Sequence, residues 1–349
     1  MVARIHFAGP IRYRVRSAAE IGESILKASA RRLLKGPRQP GWKWLVELNT
    51  AVLKTLVTTA FRMRDVREAR CYLDSVVISS PALSGVNITP FVQEKFRGNW
   101  FVHENTQTPA TVLYCHGGGY SFYPRAYSNF IALITLAAKS RTFALDYRLS
   151  PEHRFPAQLE DALSAYRWLL ETGTDPDHLV LAGDSAGGNL VLALLLAARD
   201  SRLPLPALVI ALSPPTDFET KHPSIVRNQA SDWINKQMLD QWATWFCDPS
   251  EGSQPLVSPL RADLRGLPPI YIQAGRSEIL FDSIQAFADR ARSQGAEILL
   301  ETWADMNHVF QMFGPDVPQS VEALRRIGEV IATRVPGEKR TEAVSTAGP

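Results

Sequence analysis

Apolar positions in the first seventy residues recur at helical spacing. Leu45, Leu48, Val52 and Leu56 fall three or four residues apart, with Trp42, Trp44 and Phe61 adding bulk, so a helix is expected over 42–64. A second helix is expected over 19–35, and Pro37, Pro40 and Gly41 separate the two. From about residue 72 the pattern changes to short apolar runs that alternate with helical stretches. The runs at Val112–Cys115, Phe143–Asp146, Leu179–Ala182, Leu208–Leu212, Ile270–Gln273 and Ile298–Glu301 read as strands; 127–139, 157–171, 187–200 and 284–293 read as the helices between them. Strands that are apolar on both faces and alternate with helices imply an α/β fold, a mostly parallel sheet flanked by helices.

Residues 217–255 break that alternation. Trp233, Met238, Leu239, Trp242, Trp245 and Phe246 make this segment too aromatic for a surface loop, so it is expected to be a cap insertion. The organisation expected is a helical N-terminal cap segment with a basic arm over 1–70, a catalytic domain over 71–335 carrying the insertion, and a disordered tail over 336–349. No internal repeat is visible.

Composition narrows the class. The 349 residues are 45 % hydrophobic and 21 % charged, enough for one domain with a sizeable core. The net charge of +3 conceals an asymmetry: residues 1–70 carry 15 Lys and Arg against 5 Asp and Glu, leaving −7 for the rest. Arg4, Arg12, Arg14 and Arg16 precede any acid, which leaves open a transit peptide or peripheral contact with an anionic membrane surface beside the plainer reading of a solvated arm. No recognition motif accompanies the basic residues, so no nucleic-acid partner is expected. No apolar run reaches the roughly 18 residues of a membrane span, and the first 20 residues lack a secretory apolar core, so a cytoplasmic protein is expected. Cys71, Cys115 and Cys247 are too scattered for a disulfide framework or a metal motif, and no metal or cofactor is expected.

The candidate chemistry lies where two expected strands end. The strand at 179–182 runs into Gly183-Asp184-Ser185-Ala186-Gly187-Gly188 and then an apolar helix, the strand–turn–helix setting of an exposed nucleophile. Small residues either side of Ser185 let the sharp turn pack against neighbouring backbone, and the helix N-terminus aims the Ala186 amide at a developing oxyanion. The strand at 112–115 ends in His116-Gly117-Gly118-Gly119-Tyr120, whose glycine amides are expected to complete an oxyanion hole. A phosphate loop would need a Lys and a Ser or Thr after the glycines, which are missing.

With this elbow the chain order is serine, acid, histidine. His308 is the only histidine after residue 222 and follows the last expected strand, so it is the expected base. Two carboxylates compete as its orienting acid. Glu278 sits nearer the tip of the strand 270–273, whereas Asp282 has a capping-box role available at helix 284–293 with Gln285, which favours Glu278; Asp305 is a more distant candidate.

Three segments, His116–Tyr120, Asp146–Ala157 (DYRLSPEHRFPA) and Gly183–Gly188, resemble the hormone-sensitive lipase family of α/β-hydrolases. The resemblance covers about residues 75–332, and residues 1–70 match only in kind, as the helical part of a cap. It implies the α/β-hydrolase fold with Ser185, Glu278 and His308 as the triad, and Gly117, Gly118, Gly119 and Ala186 around the oxyanion. Some members carry Asp where Glu278 stands.

The function expected is hydrolysis of a small-molecule carboxylic ester through an acyl-enzyme, without metal or cofactor. The tryptophans at 42, 44, 233, 242 and 245 either wall a compact apolar pocket suited to a short acyl group or pack the cap onto the core. An acyltransferase or thioesterase would use the same triad. A receptor on a hydrolase scaffold could dispense with the base, and here His308 is in place.

Overall fold

The computed structural model describes residues 4–219 and 221–335; the tail expected to lack order lies outside them. The chain begins with β1 (Arg4–Phe7), then α1 (Ile11–Lys35), α2 (Trp44–Arg62) and α3 (Val66–Leu73). β2 (Val76–Ser79) returns to pair antiparallel with β1, Arg4 opposite Ser79 and Phe7 opposite Val76. The basic arm is therefore not a loose extension. Its backbone is tied into a two-stranded ribbon, and the first helix starts at Ile11 rather than at residue 19.

A short turn, α4 (Pro81–Ser84), leads to the hairpin β3 (Val86–Val92) and β4 (Arg97–His103). Neither strand is expected from the apolar pattern, since Pro90 lies inside β3; the proline is tolerated because β3 is an edge strand. The alternation then follows the expected order: β5 (Thr111–Cys115), α5 (Tyr127–Ala138), β6 (Arg141–Leu145), α6 (Ala157–Glu171), β7 (Leu179–Asp184), α7 (Ala186–Asp200) and β8 (Leu208–Leu212). Within 217–255, the segment expected to be a cap, lie α8 (Ser224–Arg227) and α9 (Lys236–Phe246), and β9 (Ile270–Gly275), α10 (Phe281–Ser293), β10 (Ile298–Trp303) and α11 (Pro318–Arg334) complete the described chain.

The main sheet has eight strands in the order β10-β9-β8-β7-β5-β6-β4-β3. The run from β10 to β6 is parallel, and β4 and β3 add antiparallel at one edge. One face is covered by α5 and α11, with Phe130, Ile134, Ile327 and Ile331 in its core; the other is covered by α6, α7 and α10, with Leu159, Leu194 and Phe287. Because β5 continues to β6 on one side while β7 lies on the other, the loops leaving β5 and β7 splay from adjacent strand tips. That is the crevice in which parallel sheets place ligands.

Candidate active site

Ser185 stands at the turn between β7 and α7 with φ 50° and ψ −124°, a strained conformation for a residue with a side chain. The turn is imposed by packing. A Cβ on Gly187 would lie 1.9 Å from the Cys115 carbonyl oxygen of β5, so only glycine lets α7 approach the sheet there. The Ser185 amide donates to the Leu212 carbonyl at 2.8 Å, tying the turn to β8.

His308 lies in the loop after β10, fully buried, with Nε2 2.9 Å from Ser185 Oγ. Burial holds the imidazole below its ordinary 6.5, while the nearby carboxylates of Asp232 and Asp184 pull it back up. Glu278, in the loop after β9, is also fully buried and puts Oε2 3.5 Å from His308 Nδ1. Burial pushes its carboxyl up to about 8, opposed by the Ser213 hydroxyl and by backbone at Gly275.

The competing carboxylates are engaged elsewhere. Asp282 does not cap a helix at 284: α10 begins at Phe281, and Asp282 instead accepts the Ser224 amide at 2.8 Å and pairs with Arg227 at 2.7 Å, fastening α8 to α10. Asp305 accepts the Gly41 amide at 2.9 Å, anchoring the turn before α2 to the histidine loop.

The glycine loop departs from expectation at one position. The Gly117 amide donates to Asp184 Oδ1 at 3.0 Å, so it is already committed. The amides of Gly118, Gly119 and Ala186 have no partner among the described residues. Asp184, buried within the elbow, also accepts the hydroxyls of Tyr114 at 2.6 Å and Tyr127 at 2.8 Å, and so fixes the glycine loop to the elbow. His116 is no rival base: its ring lies between Tyr123 and Tyr147, centroids 3.7 and 4.1 Å away, and burial lowers its pKa to about 3.

The segment Asp146–Ala157 holds this loop from behind. Tyr147 donates its hydroxyl to the His116 carbonyl at 2.7 Å, the Ser150 amide donates to the Tyr120 carbonyl at 2.8 Å, and Arg148 Nε reaches Asp161 at 2.9 Å.

A family described as having the alpha/beta hydrolase fold matches residues 112–312. An acetyl-hydrolase of Streptomyces hygroscopicus is 36 % identical over 235 residues, 67 % of this chain and 79 % of that one. An esterase of Acinetobacter venetianus is 30 % identical over 295 residues, 83 % of this chain and 96 % of that one. A crystal structure of an esterase from the bacterial hormone-sensitive lipase family superposes with a TM-score of 0.71 at 32 % identity, covering 94 % of this chain and 100 % of that one. The chain belongs to the hormone-sensitive lipase family of α/β-hydrolases. It is a carboxylic ester hydrolase.

Above Ser185 lies a cavity of about 40 Å³ walled by Tyr120, Phe218, Ile234, Leu239, Trp242 and Leu280. That is room for on the order of three waters. Of the five tryptophans left open between pocket wall and cap packing, only Trp242 lines it. Trp42 packs with Val46, Met306 and Phe310, Trp44 is partly exposed, and Trp245 stacks on Phe61 at 5.6 Å. Trp233 donates its indole N–H to the His308 carbonyl at 2.7 Å, bracing the histidine rather than the substrate space.

Sequence reasoning missed Asp232. This buried carboxylate accepts the His308 amide at 3.2 Å and the Ile279 amide at 2.8 Å, and its pKa is raised to about 6, chiefly by burial. No sequence signal marks it, because apart from the adjacent Trp233 amide its partners are backbone groups 76 and 47 residues away. The cap helices also reach this loop: Asn307 donates to Thr50 Oγ1 of α2 at 2.7 Å, and Lys54 donates to the Asp232 carbonyl at 2.9 Å. Among the described residues no cluster of three His, Cys, Asp or Glu is placed to hold a metal, and no helix is long and apolar enough to cross a membrane.

Proposed function

We propose that the protein is a serine esterase that hydrolyses short-acyl esters of apolar small molecules through an acyl-enzyme on Ser185. The observation that carries this reading is the 2.9 Å contact between Ser185 Oγ and His308 Nε2 at a strained elbow. His308, held neutral by burial, takes the Ser185 proton as Oγ attacks the ester carbonyl. The free amides of Gly118, Gly119 and Ala186 receive the oxyanion, each worth about 3 kcal/mol of transition-state stabilisation. The imidazolium that forms lies 3.5 Å from Glu278. At an effective dielectric near 20, a carboxylate at that separation stabilises it by about 5 kcal/mol; Glu278, which burial pushes up to about 8, supplies that charge in molecules whose carboxyl proton has already gone to solvent. His308 then protonates the leaving alcohol, and water activated by the same imidazole releases the acid.

The test is hydrolysis of p-nitrophenyl esters from acetate to laurate by wild type, Ser185→Ala, Glu278→Gln and Asp282→Asn. The reading expects a maximum at acetate to butyrate, loss of nearly all activity with Ser185, a large loss with Glu278 and little change with Asp282. Faster turnover of laurate than butyrate sinks the short-acyl assignment, and a fully active Ser185→Ala sinks the acyl-enzyme.

A further inference from the structure

We propose that the outer face of α1 docks the protein onto an anionic lipid surface. The helix is amphipathic twice over. Its inner face, carrying Tyr13, Ser17, Ile21, Ser24 and Ala28, is buried. On the opposite side Ile11, Val15, Leu26, Leu33 and Leu34 are 63 to 84 % exposed. At 100° per residue, positions 11, 15, 22, 26, 29 and 33 fall on one stripe, and none of them is charged. The stripe runs roughly 33 Å along the helix at 1.5 Å per residue. Its apolar surface continues at the start of α2, where Trp44 and Leu45 are exposed and the Arg32 guanidinium stacks over Trp44 at 4.9 Å.

Charge identifies the partner. Residues 1–43 carry ten Lys and Arg against two Glu. Arg12 and Arg16 border one edge of the stripe and Arg14 the other, and Arg4, Arg14, Lys35 and Lys43 form no ion pair with the described residues. An apolar stripe bordered by arginines, on a segment where Arg4, Arg14, Lys35 and Lys43 have no ion pair with the described residues, matches a bilayer that offers hydrocarbon and anionic headgroups at one depth. A second copy of the chain fits worse, because stripe against stripe would bring two basic borders together. The inner face of α1 packs in one apolar cluster with α2, and Phe61 of α2 packs edge-on at 4.9 Å against Trp242, the wall of the Ser185 cavity. Docking through α1 thus sets the cap side of the molecule against the layer into which apolar esters partition.

The proposal stands apart from the reaction assigned to Ser185, and its readout is binding. The full chain is co-sedimented with vesicles of equal parts phosphatidylcholine and phosphatidylglycerol, and with pure phosphatidylcholine, at low and high salt. The expected result is partitioning to the anionic vesicles that falls steeply with salt. Leu26→Glu with Leu33→Glu should abolish it, and Arg14→Glu should lower it roughly tenfold or more. Both variants should hydrolyse p-nitrophenyl acetate at the wild-type rate, which certifies the fold. If the leucine pair misfolds, Arg4→Glu with Arg14→Glu, which disturbs no packing, decides. Active wild type that stays in the supernatant, or charge and stripe variants that sediment like wild type, would overturn the proposal. So would a wild-type dimer that the stripe variant converts to monomer, since a second copy would then cover the stripe.

Discussion

The carboxylate of Asp232 accepts the backbone amide of His308 at 3.2 Å. Its other oxygen accepts the amide of Ile279 at 2.8 Å, one residue beyond Glu278. A single buried side chain from the cap insertion therefore pins the loop that carries the imidazole and the loop that carries its acid.

Asp232→Asn tests that role. An amide cannot accept on both sides, so one backbone N–H is left facing a donor, at a cost of about 1–3 kcal/mol. We expect lower thermal stability and a lower kcat with little change in KM. The negative charge at Asp232 also raises the His308 pKa, so its removal should move the acid limb of the kcat/KM profile to lower pH. A purely structural role would lower stability without moving that limb.

The pH dependence of wild type follows from burial of His308. Its pKa lies below 6.5, and the base works only when neutral, so kcat/KM should fall as pH drops through the lowered pKa. A limb centred above 6.5 on a non-ionising ester that persists in Glu278→Gln, where the carboxyl no longer titrates, contradicts the buried, neutral base.

Glu278 links activity to stability with a definite sign. Folding raises its pKa from 4.5 to about 8, so between those values the folded state holds a proton that the unfolded chain has released. The contribution is present below about pH 4.5 and is lost as pH rises toward 8. Glu278→Gln removes the titration. The variant should melt a few degrees above wild type near pH 9 while losing much of its kcat, a trade between stability and function. Melting curves across pH 5 to 9, with the same slope in both proteins, would count against this.

At Gly119 the backbone has φ 60°, and an added Cβ would lie 2.0 Å from the Trp242 indole nitrogen. Gly119→Ala should therefore displace an oxyanion donor and cost about 3 kcal/mol, roughly a hundredfold or more in kcat. Pairing it with Trp242→Ala removes the clash and should restore part of the loss. Trp242→Leu alone enlarges the cavity and should move the preferred acyl chain toward longer esters.

Much of the fold and the site was legible in the sequence, for local reasons. Ser185 directly follows a strand that is apolar up to its tip, and His308 lies in the loop five residues after the last strand. The choice of Glu278 over Asp282 rested on a helix cap that does not form; what separates them is distance, since Asp282 is held by Ser224 and Arg227. The start of α1 was hidden because residues 11–16 alternate apolar and charged or polar positions in the period of a strand, and its apolar stripe faces outward. The hydrogen bond that engages the Gly117 amide is made to Asp184, 67 residues away, and no local pattern marks it. Composition leaves the tryptophans open between walling a pocket and packing the cap, because it cannot tell a wall such as Trp242 from a brace such as Trp233.

The most direct test of the account is the intact mass of the protein after treatment with a fluorophosphonate, followed by peptide mapping. The account predicts one adduct per chain, on Ser185, formed in step with loss of esterase activity and absent from both Ser185→Ala and wild type denatured beforehand. An active protein that stays unlabelled, or an adduct that maps to another residue while activity disappears, would contradict the assignment of Ser185 as the nucleophile.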